Sequence, residues 1–389
     1  MLAVGKAACG MAAAVERHWP ADRPLYGIAL TRYGHARPLE RIRVREASHP
    51  LPDAAGEEAA REMLSAARAL RASDRLLALV SGGGSALLAL PAEGVALADL
   101  RTVTRELLGC GATIHEINTV RKHLSAIQGG RLAAACRAPV LALAISDVPG
   151  DDPTHIASGP FAPDPTTFQD AVDVLNRYHI RPPRAVLEHL VAGVRGERPE
   201  SPKPGDPLFA RVENRVIASA RHSLEAAAAI FRARGVEPAI LGDAVTGEAR
   251  EVAKVMAALA RQVRTYGTPF RPPVALVSGG ECTVTLRAQG GRGGRCTEFL
   301  LSLAIELGGL PGVYAIAADT DGLDGTEESA GAIVAPDTLA RAAAQGIDAR
   351  NRLAAHDSHG FFAPLGDLVT SGPTGTNVND YRAILVLAD

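Results

Sequence analysis

Residues 76–88 read Leu-Leu-Ala-Leu-Val-Ser-Gly-Gly-Gly-Ser-Ala-Leu-Leu: five apolar residues with no polar alternation, a glycine turn flanked by serines, then apolar sequence again. A short, unbroken apolar run is the pattern of a strand covered by helices on both faces of a parallel sheet. The same pattern recurs at 140–145, 274–277 and 313–318, each time after Ala/Arg/Glu-rich, helix-like sequence. Each run stops at a polar loop: Ser81–Ser85, Ser146-Asp147-Val148 and on to Asp152, Ser278-Gly279-Gly280-Glu281, and Asp319-Thr320-Asp321 to Gly325. Strands alternating with helices make the fold class α/β. Ligands of open α/β sheets sit at the carboxyl ends of strands, so these four loops are expected to form one or two assembled sites. A further strand, Leu2-Ala3-Val4, leads into Gly5-Lys6.

A chain of 389 residues exceeds one ordinary core, so two domains are expected. The most Pro-rich, polar stretch is 193–208, which places the boundary between 1–203 and 204–389. Beyond it, 214–219 and 237–241 read as strands, and 221–235 and 247–264 as amphipathic helices. A net charge of −2 without a basic run argues against nucleic acid as a partner. No apolar stretch approaches the ~20 residues of a membrane helix. The start lacks the basic, apolar and cleavage regions of a secretory signal, so a cytoplasmic location without membrane contact is expected. Five cysteines with no C-x-x-C pair suggest free thiols.

Ser81-Gly82-Gly83-Gly84-Ser85 joins a strand to the start of a helix, where backbone N–H groups can converge on a phosphate or carboxylate. A tight strand-to-helix turn explains it equally well; the two serines favour a ligand. The familiar nucleotide signatures are missing. Gly5-x-x-x-x-Gly10 continues Met11-Ala12 and is no Walker A loop, and Gly82-x-Gly84 reaches Leu87 where a dinucleotide fingerprint needs a small residue. Lys6 is one of only four lysines and follows a strand and a glycine, where its ammonium could meet an anion. Asn118, Arg121, Lys122 and Ser125 share one helical face, by default a solvated one, with substrate contact as the competing reading.

Asp147, Asp151 and Asp152, and likewise Asp319, Asp321 and Asp324, offer the oxygen-only ligands that suit Mg²⁺, although aspartate also serves simply to close turns. Gly279, Gly280 and Glu281 are followed by Gly290-Gly291-Arg292-Gly293-Gly294-Arg295, which reads as arginines free to approach an anion or as a hairpin tip. Near the end, 370–380 mixes glycines with Thr374, Asn377 and other hydroxyls and amides, suiting a polyoxygenated ligand. Anion loops, acidic clusters, lysine and arginine together are the inventory of phosphoryl transfer.

In this order, Gly-Lys-Ala-Ala, Ser-His-Pro-Leu-Pro-Asp, Ser-Gly-Gly-Gly-Ser-Ala-Leu-Leu, Ile-Asn-Thr-Val-Arg-Lys-His-Leu-Ser, Ser-Asp-Val-Pro-Gly-Asp-Asp-Pro, Ser-Gly-Gly-Glu, Gly-Gly-Arg, Asp-Thr-Asp-Gly-Leu-Asp-Gly and Gly-Pro-Thr-Gly-Thr-Asn-Val-Asn-Asp resemble the class II glycerate kinase family, named for its MOFRL domain. The resemblance covers essentially the whole chain. It implies a Rossmann-like N-terminal domain, a smaller α/β C-terminal domain whose MOFRL region spans about 272–385, and a cleft between them. It also implies transfer of the ATP γ-phosphate, with Mg²⁺ or another divalent cation, to the 2-hydroxyl of D-glycerate. Carried over by motif, Lys6 and Arg295 are catalytic candidates that would neutralise the moving phosphoryl group, with Asp147 as a further candidate; either Asp147 or Asp319 would hold Mg²⁺ or accept the hydroxyl proton. Asp147, Asp319 and Asp321 are candidate metal ligands. Ser81, Gly82, Gly83, Gly84, Ser85, Arg121, Lys122, Gly279, Gly280, Glu281, Thr374 and Asn377 are candidates for holding substrate or nucleotide. The resemblance leaves room for a homodimer.

Three departures stand out. A helical segment that normally precedes the Gly-Lys strand has no counterpart, Gln128 stands where lysine is expected, and Ser371 where threonine is. Family members often carry hydroxypyruvate reductase names, which makes an NAD(P)H-dependent reductase the rival reading, and the missing dinucleotide fingerprint argues against it. A metabolite sensor without turnover, or a kinase of a related small hydroxy acid, would also be compatible with these motifs.

Overall fold

Strands β1 (Leu2–Val4), β2 (Gly27–Arg32), β3 (Ile42–Ala47), β4 (Leu76–Val80), β5 (Val140–Ile145) and β6 (Val212–Ala218) form one sheet in the order β3-β2-β1-β4-β5-β6. The pairs from β3 through β5 are parallel. This computed structural model describes residues 1–148, 150–286, 291–325 and 327–388. The strand order reverses between β1 and β4, the topological switch point of a doubly wound sheet. Strand β4 is buried along nearly its whole length, as its unbroken apolar run requires. Helices cover the sheet: Ala54–Ala69, for example, lays Ala60, Met63 and Leu64 into the core with Val80 and Leu87, and starts where the Asp53 carboxylate accepts the Gly56 N–H at 3.0 Å. A second cluster joins Leu97–Gly109, Ile114–His123, Phe168–Arg177 and Arg184–Val194.

The remaining strands are β7 (Glu237–Gly242), β8 (Gly247–Glu248), β9 (Val274–Gly280), β10 (Cys282–Thr283), β11 (Val313–Asp319), β12 (Gly331–Val334), β13 (Leu368–Val369) and β14 (Asp380–Val386). They form a mixed sheet, β13-β12-β11-β14-β9-β7, and a short parallel pair, β8 with β10. Strand β14 runs antiparallel between β9 and β11, so the carboxyl ends of those two flank its start. Helix Arg295–Leu307 packs on this sheet, with Phe299, Leu300, Leu303 and Ala304 in the core beside Ala249–Tyr266.

The chain divides at Met1–Ile217 and Ala218–Asp389, later than the boundary at 203/204 expected from the Pro-rich stretch. The reason is β6: it joins the first sheet, its Val212 and Val216 rest on that core, and Asn214 Nδ2 donates to the Phe161 carbonyl at 3.0 Å. A strand expected to open the second domain instead ends the first. Among the described residues no helix is long and apolar enough to cross a membrane.

Candidate active site

In the first unit the candidate residues gather at the switch point. Val4 and Val80 are register partners, so the chain leaves β1 and β4 side by side. There the Lys6 N–H donates to the Gly82 carbonyl and the Ser81 N–H to the Val4 carbonyl, both at 2.9 Å. The buried Ser81 hydroxyl donates to the Val4 carbonyl at 3.3 Å and accepts the Ala7 N–H at 3.1 Å, tying the two turns together. Gly83 follows at φ +79°, a left-handed conformation that suits glycine. A Cβ there would lie 3.2 Å from the His49 ring and 3.3 Å from Lys6 Cγ, so these two side chains flank the glycine turn.

Beyond the turn runs a chain of neutral polar groups. The Ser158 hydroxyl lies 2.9 Å from the Ser85 hydroxyl and 3.1 Å from Asn118 Oδ1, and Asn118 Nδ2 donates to the His155 carbonyl at 3.2 Å. Arg121 Nη1 makes one long contact, 3.5 Å, to Asn118 Oδ1. Ala157 and Ser158 hold φ values of 51° and 58°, left-handed positions that cost energy in residues other than glycine and concentrate at functional sites. Gln128 Nε2 donates to the Ser85 and Leu88 carbonyls at 2.8 and 3.0 Å, fixing the loop from behind. Asp147 is half-buried in the loop after β5, at the same carboxyl edge.

The second unit builds its cluster across three strand ends. Gly280, Asp380 and Asp319 are lateral neighbours on β9, β14 and β11. Arg295, the first residue of its helix, donates through Nη2 to Asp319 at 2.7 Å and to Asp380 at 3.1 Å, and through Nη1 to Glu281. Asp380 is fully buried, and its other oxygen accepts Arg382 Nη2 at 2.7 Å. The Arg382 guanidinium also reaches the Gly280 carbonyl at 3.3 Å and lies 5.5 Å from the centre of the Phe299 ring. Asp324 caps the helix: its carboxylate accepts the N–H groups of Cys296 and Thr297 at 3.0 and 2.8 Å and the Thr297 hydroxyl at 2.7 Å. Gly294 is needed beside it, since a Cβ there would lie 2.3 Å from Asp324 Oδ1.

The electrostatics follow from this crowding. Burial works against the Arg295 charge, but Asp380, Glu281 and Asp319 outweigh it and raise its pKa. Burial, with the adjacent Asp321 charge and then Asp380, pushes Asp319 up to about 7 against the pull of Arg295. Burial likewise raises Asp324 against its three hydrogen bonds. Arg295 Nε is buried and has no hydrogen-bond partner among the described residues, a donor left over for a ligand oxygen. For a divalent cation the donor set fits: Asp319 and Asp321 are hard oxygen ligands two residues apart whose mutual repulsion a cation would relieve. Among the described residues no cluster of three or more acidic, His or Cys side chains forms a metal cage, and Mg²⁺ commonly takes one or two carboxylates and completes its shell with phosphate oxygens and water.

Two sequence-based expectations, a solvated face at Lys122 and a hairpin tip at Arg295, are corrected, and the other candidates are placed as follows. Lys122 does not face solvent or a ligand: its side chain is fully buried, with Nζ 2.6 Å from Asp164 Oδ1, and Asp164 also accepts the hydroxyls of Thr166 and Ser201. The face bearing Asn118, Lys122 and Ser125 is buried, with Arg121 half-buried, so it is an internal polar seam. Gly279 and Gly280 belong to β9, and their carbonyls receive Arg382. Thr374 is exposed, and its hydroxyl donates to the Thr320 carbonyl at 2.6 Å. Asn377 is buried and accepts the Asn379 N–H at 3.3 Å, a loop-shaping contact. Arg295 opens a buried helix and does not sit on a hairpin tip; Gly290, part of that motif, and Pro149 of the Asp147 loop lie outside the described residues. Sequence reading did not single out Arg382, Asp164 or Ser158, and met Asp380 only as the end of the donor-rich loop 370–380. Arg382 did leave a signal, a lone arginine inside the apolar run of β14.

Residues 1–191 match the model of a domain of unknown function (DUF4147), and residues 274–380 match the MOFRL family. A glycerate 2-kinase of Pyrococcus horikoshii is 42% identical over 388 residues, 99% of this chain and 87% of that protein. An Agrobacterium vitis protein that carries a hydroxypyruvate reductase name is 52% identical over 99% of this chain and 86% of that one. The crystal structure of a glycerate kinase from Thermotoga maritima aligns with a TM-score of 0.87 at 38% identity, covering 99% of this chain and 91% of that one. Matching domains in the same order, similarity along the full length and a shared fold lead to one assignment: the chain belongs to the class II glycerate kinase, or MOFRL, family.

Proposed function

We propose that the protein transfers the γ-phosphate of ATP to the 2-hydroxyl of D-glycerate, giving 2-phosphoglycerate and ADP. The observation that carries this reading is Arg295, whose guanidinium is oriented by Asp319, Asp380 and Glu281 while its Nε keeps an unspent buried donor. A planar cation fixed in this way is suited to the equatorial oxygens of a phosphoryl group, and phosphoryl transfer depends mainly on such positioning and neutralisation.

In the first unit Lys6 offers a point charge of its own, beside a glycine turn that lets an anion approach the backbone. Asp147, at the same edge, is the carboxylate assigned to the departing hydroxyl proton. Asp319 and Asp321 would hold Mg²⁺, which supplies charge neutralisation on the phosphate oxygens when bound. A reductase would need a dinucleotide loop at the switch point, but Leu87, at the position of the third fingerprint glycine, is fully buried in the core.

Incubation with ATP, Mg²⁺ and D-glycerate should release ADP in proportion to glycerate consumed, and Lys6→Ala or Arg295→Ala should suppress it. Oxidation of NADH by hydroxypyruvate, with no ADP formed from glycerate, would overturn the reading.

A further inference from the structure

Arg121 is half-buried, and it differs from three other cations whose side chains are wholly or largely buried. Lys122 is paired with Asp164, Arg382 with Asp380, and Arg250 with Glu298. Arg121 has no acidic partner among the described residues, and its one hydrogen bond is the long contact to Asn118. Burial lowers its pKa to about 10, so it stays ionised at neutral pH as a partly desolvated cation with no acidic partner among the described residues.

The helix that carries it, Ile114–His123, is held firmly. Thr113 and Glu116 cap each other reciprocally at 2.9 and 3.3 Å, and the Tyr178 hydroxyl donates to Glu116 at 2.8 Å. Arg121 therefore does not lie in a floppy segment. It borders a small cavity together with Ser85, Ser125, Gln128 and Thr104. Ser85 also closes the glycine turn flanked by Lys6, and behind it the buried Ser158 hydroxyl and Asn118 amide hold its hydroxyl in place.

We infer that Arg121 is the carboxylate-recognition residue of the acceptor subsite, and that the Ser85 hydroxyl, held from behind by the buried Ser158 and Asn118, meets a hydroxyl of a small 2-hydroxy acid. The occupant is a carboxylate because the remaining groups are neutral and the cavity is small. One guanidinium fork balances one monoanion, and among the residues that line this cavity Arg121 is the one cation. The acceptor class is thereby set as small 2-hydroxy carboxylates, and uncharged polyols are discriminated against by loss of the pair. This rests on the kinase reading, and its test includes an arm that needs no turnover.

The full-length protein, with Arg121→Met and Arg121→Lys, is assayed with D-glycerate and with its uncharged carboxamide, D-glyceramide. Arg121→Met is expected to raise KM for D-glycerate by about 100-fold, in line with loss of a charge-assisted bidentate pair. KM for ATP should stay within about threefold, and glyceramide turnover should be nearly unchanged, so that the preference for the acid collapses. Arg121→Lys should restore part of the preference. Without ligand, Arg121→Met should melt no lower than the wild type, because the residue removed carries an uncompensated charge.

In the second arm, D-glycerate alone should raise the melting temperature of the wild type and not of Arg121→Met, whether or not phosphate is transferred. Absence of turnover with this protection intact would sink the kinase reading and leave the carboxylate site standing. A rise in KM for ATP, equal losses with both acceptors, or no glycerate protection of the wild type would overturn the inference.

Discussion

At the residue scale, the account turns on which charges are balanced inside the protein and which are left for a ligand. Arg295 is gripped by Asp319, Asp380 and Glu281. Arg295→Ala is expected to lower kcat by roughly 10²–10³-fold, the scale for losing one preorganised charge-stabilising group. Arg295→Lys should recover little, since a lysine cannot serve Asp319 and Asp380 with a planar fork. Lys122 stands on the opposite side of this distinction. Lys122→Met should leave Asp164 buried and unpaired and destabilise the protein by about 3–5 kcal/mol in chemical denaturation, while the folded fraction keeps its kcat; a specific loss of kcat at unchanged stability would contradict the structural role. Asp319 supplies the pH dependence. Its folded-state pKa, about 7, lies above the ordinary 3.8, so the stability it contributes is complete at low pH and is lost as pH rises through about 7. Without divalent cation, the melting temperature should fall between about pH 4 and pH 7, the window set by those two values, and Asp319→Asn should flatten the slope. Because a cation competes with that proton, stabilisation by Mg²⁺ should be larger at about pH 8 than at about pH 6.

At the element scale, the helix Arg295–Leu307 delivers Arg295 only because Asp324 seats its first turn and Gly294 admits Asp324 at close range. Gly294→Ala should push the two apart, at a cost of about 1–3 kcal/mol for overpacking, and should reduce kcat together with the melting temperature. Unchanged kcat in that variant would show that helix seating does not govern Arg295. Strands were the most legible elements in the sequence: the apolar runs 76–80 and 140–145 are β4 and β5 residue for residue. A strand buried on both faces has no polar positions to blur its edges, and its loop begins at the first serine. The polar seam of Ile114–His123 was less legible, because helical spacing shows which residues share a face and not whether that face meets water or Asp164. Arg382 was similarly obscure: its partner, Asp380, is two residues away on the same strand, but Asp380 also accepts from Arg295, which lies far off in sequence.

At the scale of the whole molecule, the doubly wound sheet of the first unit and the mixed sheet of the second agree with the α/β expectation. The boundary moved because strand pairing, not linker composition, decides which core a segment joins, and β6 pairs with β5. Lys6, Ser85 and Arg121 are brought into one neighbourhood of the first unit, and Glu281, Arg295, Asp319 and Asp380 into one cluster of the second. Motif order in the sequence pointed to most of these residues; Arg382, Asp164 and Ser158, buried groups that support them or their helices, belong to none of those motifs. The central claim, transfer of phosphate to the 2-hydroxyl of a three-carbon acid, is tested most directly by ³¹P and ¹H NMR of the product formed from ATP and D-glycerate. The account predicts a phosphate coupled to the single proton of the carbon next to the carboxylate. A phosphate coupled to the two protons of the terminal carbon, or no phosphorylated acid while NADH is oxidised by hydroxypyruvate, would contradict it.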